Sequence, residues 1–334
     1  MTPYTVREVG MVDTMRRHTG TGLAALVLSS AAFGTSGPFA KALIEAGWSP
    51  GAVVLLRIAG AAALLLPGVL WSQRHALRAV ARELPLAAGY GCLAVAAAQL
   101  GYFQAVERLT VGVALLIEYL GIVLVVLVMW VLTRRRPHRL TGVGILLAVL
   151  GLALVLDVTG QTTPDLVGVA WGLVAATGLA GHYVLAARET TLSPITFVAL
   201  GLTAGGVVLA LLGVTGVIPM HVGGSQVAVG SGQIPAWLAL VELVVVAAAV
   251  AYVLGVLGAR HLGSTLASFV GLTEVMFAVL VAWLVLGELP GPLQLVGGLV
   301  ILVGIVAVRL GERPDARRSV TGEAVDFDVP SPVA

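Results

Sequence analysis

Apolar stretches long enough to cross a membrane recur along almost the whole chain, and they leave it few other ways to fold. A helix needs about 20 predominantly apolar residues to cross hydrocarbon. Reading between charged residues and Pro/Gly breaks gives ten such segments, at about 21–43, 50–71, 85–106, 110–132, 140–157, 166–187, 194–216, 236–258, 262–286 and 292–310. The third and fourth are parted only by Glu107-Arg108-Leu109. A single helix there would run about 72 Å at 1.5 Å per residue, so they are read as separate crossings. Composition agrees: 58% of residues are hydrophobic and 11% charged, whereas a soluble domain carries about 25% charge. The lone cysteine, Cys92, closes no internal disulfide.

The positive charges set an orientation. With ten crossings, sixteen of the nineteen Lys and Arg residues fall on one side, Lys41 and Arg108 fall on the other, and Arg57 lies inside a span. The positive-inside rule then puts both termini and the even-numbered loops in the cytoplasm. The first segment is too long for a signal-peptide core and is read as an uncleaved helix after a cytoplasmic tail at 1–20. An extracytoplasmic linker is expected at 158–165, between Asp157 and Asp165. The Gly/Ser-rich loop at 217–235 reads as a tether, and 311–334 as a disordered cytoplasmic tail. Eighteen Arg against one Lys fits a GC-rich bacterium, and hence a multi-pass protein of its inner membrane.

A repeat organises the spans. An ungapped shift of 153 residues pairs Leu109 with Leu262, Ala114 with Ala267, Trp130 with Trp283 and Pro137 with Pro290. It also pairs Gly144 with Gly297 and Gly151 with Gly304. The shift lays spans four and five on spans nine and ten, so each half holds five helices, over 21–157 and 166–310. Five is odd, so the second half enters the bilayer from the opposite side. The fold class expected is therefore an all-α polytopic membrane protein of ten transmembrane helices in two inverted five-helix repeats. Secondary transporters commonly use that plan, with a central site between the repeats near the midplane.

The segments Thr110-Val-Gly-Val-Ala-Leu-Leu-Ile-Glu118-Tyr-Leu-Gly and Gly263-Ser-Thr-Leu-Ala-Ser-Phe-Val-Gly-Leu-Thr-Glu274-Val-Met-Phe-Ala resemble the EamA-type branch of the drug/metabolite transporter superfamily. So do Leu286-Gly-Glu-Leu-Pro290, Gln294-Leu-Val-Gly-Gly-Leu, Arg57-Ile-Ala-Gly-Ala and Phe33-Gly34. The first Glu-containing segment is similar in part to threonine/homoserine exporters. The resemblance spans roughly 21–310 and implies ten helices in inverted repeats, with export of small metabolites as a frequent activity. Where these families often carry Pro, this chain has Gly121 and Glu274, so no proline fixes a kink there.

Ionisable groups inside a bilayer cost about 2.5–3.5 kcal/mol by insertion scales and so mark candidate sites. Glu118 lies near the middle of span four and Glu274 near the middle of span nine; the shift sets Glu118 against Gly271 and Glu274 against Gly121. The two carboxylates are expected to face one cavity from opposite repeats. Two roles are open to Arg57: holding a substrate carboxylate, or neutralising one of these acids. Gln99, Tyr102, Tyr119 and the His182-Tyr183 pair are candidates for the same lining. Glu242 is read as wetted near the outer interface, and Lys41 as snorkelling to the outer surface. Gly144, Gly151, Gly297 and Gly304 read as sites of close helix packing.

These features favour a secondary transporter that exports a small amino-acid-like or amphipathic metabolite by alternating access, with the two glutamates as candidate proton carriers. The partners expected are the lipid bilayer and a small-molecule substrate, with room for a homodimer and no nucleic acid. An integral membrane enzyme is the competing class, yet no Asp-x-x-Asp, His-x-x-His or His-Glu-x-x-His pairing occurs. No phosphate-binding loop occurs either, so no cofactor or metal is expected. A non-transporting receptor or scaffold is the third reading.

Overall fold

The computed structural model describes residues 5–73, 77–124, 138–155, 165–186 and 188–311. Trp130, Arg134 to Arg136, Asp157 and the expected tail beyond Gly311 lie outside them. Among the described residues, six helices are long and apolar enough to cross a membrane: Gly20–Glu45, Pro50–Ser72, Val80–Val106, Leu166–Ala186, Pro194–Val214 and Ala236–Leu262. Four shorter apolar helices cover Val111–Leu124, Arg139–Leu154, Thr273–Leu286 and Pro292–Val308. The outer faces of these helices are aliphatic. Leu146, Leu211, Leu284 and Leu299 are each more than half exposed, a surface that suits lipid and not water.

In chain order the elements are α1 (Thr5–Glu45), α2 (Pro50–Gln73), α3 (Leu77–Tyr90), a π-helical segment (Gly91–Ala97), α4 (Ala98–Val106) and α5 (Val111–Tyr119). Next come α6 (Arg139–Val155), α7 (Leu166–Ala186), α8 (Pro194–Val214), β1 (Gln226–Val229) and β2 (Gly232–Pro235). The chain then runs through α9 (Ala236–Val244), a second π-helical segment (Val245–Val250), α10 (Ala251–Gly271), α11 (Thr273–Leu286) and α12 (Pro292–Gly311). Helix α1 begins at Thr5 and so extends into the stretch read as a tail.

Contacts run between the halves more than within them. Helix α1 packs on α10, with Gly22 against His261 and Gly258 against Leu26. Helix α4 packs on α7, with Gly178 against Ala98 and Gly101 against Trp171 and Ala175. These two pairings exchange under the 153-residue shift. Helix α1 also packs on α11, while α2 with α8 and α6 with α12 each join a helix to its own repeat counterpart. The two five-helix units are thus interleaved around one core.

Helix α10, Ala251–Gly271, has helical residues on both sides of the expected break between spans eight and nine. It is not straight. Ser29 Oγ donates to the Ala251 carbonyl at 2.7 Å and Ser30 Oγ to the Val270 carbonyl at 3.5 Å. A straight helix would hold those two carbonyls about 28 Å apart, so the chain folds back between them.

The 217–235 loop is more than a tether. It carries an antiparallel hairpin with Val227 opposite Ile234, turning at Gly230, whose φ of 58° is costly for any residue with a Cβ. The loop is fastened at both ends of the bundle face it covers. Gly224 N donates to the Ala46 carbonyl at 2.7 Å, Trp48 Nε1 to the Gly224 carbonyl at 3.0 Å, and Gly230 N to the Val285 carbonyl at 2.8 Å.

Asp165 is the last residue before α7, and its Oδ1 accepts from Val167 N and Gly168 N, each at 2.9 Å. These backbone donors, with Arg108 nearby, hold its carboxyl below the ordinary value. A depressed carboxyl contributes stability that is complete above its unfolded value and is lost as pH falls through the folded one. The melting temperature of Asp165→Ala in detergent should therefore lie about 1–3 °C below wild type at neutral pH. That gap should close in acid, below the usual aspartate value of 3.8.

Candidate substrate and ion pathway

Helix α5 ends at Tyr119 and α10 at Gly271, with a non-helical turn residue, Leu120 and Leu272, at each break. The breaks fall in both repeats at matching depth even though proline is absent. At the first, Gly121 fits against the Ala176 backbone, where a Cβ has no room. Glu118 lies two residues before one break and Glu274 two residues after the other. Both line one cavity of about 60 Å³, shared with Ser29, Ser30 and Phe33 of α1, Gln99 of α4, His182 and Tyr183 of α7, and Tyr252 of α10. A water occupies roughly 10–15 Å³ on this measure, and metabolite pockets run to about 300–1,000 Å³. The cavity has room for a few waters, and a substrate could enter only after the helices part.

The π-helical segments, Gly91–Ala97 and Val245–Val250, occupy equivalent positions in the two repeats. Such segments are rare and cluster at functional sites, because the wider turn loosens the i→i−4 ladder and frees carbonyls for other donors. Here the Ala94 and Ala247 carbonyls, which the 153-residue shift pairs, accept side-chain donors. Tyr252 Oη donates to Ala94 at 3.2 Å, and Arg57 Nη2 donates to Ala247. Gln99 and Tyr252, another shift-related pair, meet in the same layer. Arg57 Nη1 donates to Gln99 Oε1, and the Arg57 guanidinium sits 5.4 Å from the centre of the Phe103 ring.

Of the residues singled out from the sequence, Glu118, Glu274, Gln99, His182 and Tyr183 reach the cavity wall. Arg57, Tyr119 and Tyr102 do not; they form the layer behind it. Arg57 is fully buried and makes no ion pair with Glu118 or Glu274 among the described residues. Its Nε has no hydrogen-bond partner among the described residues. Tyr119 reaches across the repeats, with Oη 2.5 Å from the Gly271 carbonyl and 3.1 Å from Glu274 Oε2. The Tyr102 hydroxyl fills the space a Cβ would need at Gly37. His182 Nδ1 lies 3.0 Å from Tyr90 Oη, inside an aromatic group that includes Phe33 and Tyr252.

Three features were missed or misread. Tyr252 is a central residue, and the shift that maps Gln99 onto position 252 was the available signal. Glu242 is not simply wetted: Thr35 Oγ1 donates to its Oε1, while its Oε2 is buried without a partner. Lys41 does not snorkel freely, because its Nζ pairs with Glu288 Oε1. No group of three or more His, Cys, Asp or Glu residues gathers to hold a metal ion among the described residues. A larger cavity of about 250 Å³ lies between α5, α11 and α12, but its lining, including Val113, Leu116, Val275 and Leu302, has no ionisable side chain.

Residues 20–157 and 166–310 each match the model of the EamA-like transporter family. The chain belongs to the EamA-like transporter family. An uncharacterized transporter of Archaeoglobus fulgidus is similar to this EamA protein, with 29% identity over 292 residues covering 85% of this chain and 95% of the relative. One solved crystal structure aligns over 90% of the chain and 99% of its own length, with a TM-score of 0.57 at 18% identity, a likeness of fold. Family, relative and apolar helices together make this EamA protein a multi-pass membrane transporter with a two-repeat architecture.

Proposed function

We propose that the protein is a secondary transporter that exports a small amino-acid-like or amphipathic metabolite by alternating access, driven by protons moving inward. The reading takes all ten apolar helices as crossings in two inverted repeats, with both termini in the cytoplasm of a bacterium. One observation carries it: two carboxylates, Glu118 and Glu274, one from each repeat, line a single constricted cavity between the halves. Carboxylates at that depth are costly when charged, so an access change that alternately wets and dries them would load and release protons.

Purified protein in proteoliposomes, offered candidate metabolites under an imposed pH gradient, tests this reading. Wild type should move its substrate faster with the gradient than without it. Glu118→Gln and Glu274→Gln should each lose that acceleration while retaining slow downhill exchange at symmetric pH. Gradient-driven flux that both variants retain in full would remove the proton-carrier role.

A further inference from the structure

We propose that Lys41 and Glu288 form a latch that holds the outer side of the transport pathway shut. The inference rests on the alternating-access reading above, under which the end of the bundle where α1 finishes faces outward. At that end Lys41 Nζ pairs with Glu288 Oε1 and also donates to the Leu109 carbonyl at 3.0 Å. The other carboxylate oxygen, Glu288 Oε2, accepts from Val111 N, the first residue of α5, at 3.2 Å. Two side chains therefore tie together α1, the turn between α4 and α5, and the turn between α11 and α12.

The latch acts on the two helices that matter. Helix α5 carries Glu118 and starts at the amide that Glu288 holds. Helix α11 carries Glu274 and ends at Leu286, two residues before Glu288, capped by the left-handed Gly287, whose φ is 71°. Both repeats are thus fastened to α1 through one ion pair. It is largely sheltered, its side chains being 13% and 20% exposed, so water and salt screen it less than a surface pair.

The shape of the cavity agrees. Its lining includes Leu26, Ala259 and Ala267, all toward the end where α1 begins. No lining residue comes from α1 beyond Phe33, from α5 before Glu118 or from α11 after Glu274. Beside the latch lie a pocket of about 10 Å³ between Gly112, Val279 and Glu288, space for a single water, and the apolar cavity between α5, α11 and α12; neither shares a lining residue with the Glu118–Glu274 cavity. The hairpin loop, fastened to Ala46 and Val285, straps the same face. The pathway is sealed on the latch side, and opening that side requires Lys41 and Glu288 to separate.

Thiol accessibility tests the latch without any substrate. In a Cys92→Ser background, Ala98→Cys on the cavity wall is labelled with a membrane-impermeant thiol reagent applied to the outside of intact cells. Labelling should be slow with the pair intact. It should become on the order of tenfold faster in Glu288→Gln, a shift of the size that state-dependent contacts commonly produce. That variant keeps an oxygen for Val111 N and removes only the charge. Lys41→Met should act alike. Equal labelling in wild type and Glu288→Gln, with both proteins present in the membrane, would overturn the latch. Unchanged labelling with intact flux removes the latch alone, whereas faster labelling in a protein that moves no solute removes the transport reading.

Discussion

Arg57→Met should cost transport on the order of a hundredfold while moving the melting temperature by no more than about 3 °C. The asymmetry follows from opposing terms of similar size. An arginine at the centre of a membrane helix costs about 2.5–3.5 kcal/mol by insertion scales, and here it has no carboxylate partner within ion-pair distance among the described residues. Its removal relieves that cost. Against this, Gln99 Oε1 and the Ala247 carbonyl lose their donor, and each unmade hydrogen bond in a dry interior costs about 1–3 kcal/mol. The two nearly cancel. Transport has no such compensation, because Gln99 stands on the cavity wall and Arg57 is what holds its carbonyl oxygen. A lining group misplaced by about 1 Å can cost a hundredfold in rate. Arg57→Lys should fare little better, since one ammonium cannot reproduce a planar fork between a side chain and a backbone carbonyl. Scanning fluorimetry alongside proteoliposome flux separates the cases. A large fall in melting temperature, with flux scaling to the folded fraction, would make Arg57 a structural residue only.

Periodicity and charge exposed the helices but not their irregularities. The ten apolar segments and their repeat are statements about transfer free energy, which composition reports directly. The glutamates at 118 and 274 are legible for the same reason, since a carboxylate in an aliphatic run carries a cost that needs an explanation. The π-helical segments are another matter. Gly91–Ala97 and Val245–Val250 are made of small and aliphatic residues common to many membrane helices, and nothing in them announces an extra residue in the turn. Yet these segments carry the Ala94 and Ala247 carbonyls, on which the Arg57–Gln99–Tyr252 layer is built. The breaks at Leu120 and Leu272 were also hidden, because the usual proline signal is absent and close packing at Gly121 is visible only once α7 is in place. Lys41 illustrates a third limit. Its partner Glu288 lies 247 residues away, and a lone cation near a helix end gives no hint of a buried acceptor contributed by the other repeat.

Gly304→Leu should be among the most destabilising single changes in the aliphatic shell of the protein. At the crossing of α6 and α12, a Cβ added at Gly304 would meet Ala148 N and the Gly144 carbonyl at 2.7 Å each. Both are backbone atoms, so no side-chain rotation relieves the clash and the helices themselves must separate. Overpacking of this kind costs about 1–3 kcal/mol or somewhat more, or roughly 5–10 °C in melting temperature at 2–4 °C per kcal/mol. Gly142→Leu is the internal control: it lies on α6 with nothing within 4 Å of its Cβ. There leucine should be neutral, or slightly stabilising through helix propensity. The repeat sharpens the test. Gly151 is the counterpart of Gly304, and its own added Cβ would meet the Gly297 carbonyl and Ile301 N at 2.7 Å each, which are the counterparts of Gly144 and Ala148. If the interface is two-fold, Gly151→Leu and Gly304→Leu relieve the same clash by the same motion and should lower the melting temperature by the same amount. The double variant should then cost less than twice either one, because helices already forced apart by the first leucine have room for the second. Additive losses would mean that the two crossings yield independently, and the helix pair would then not behave as one symmetric contact.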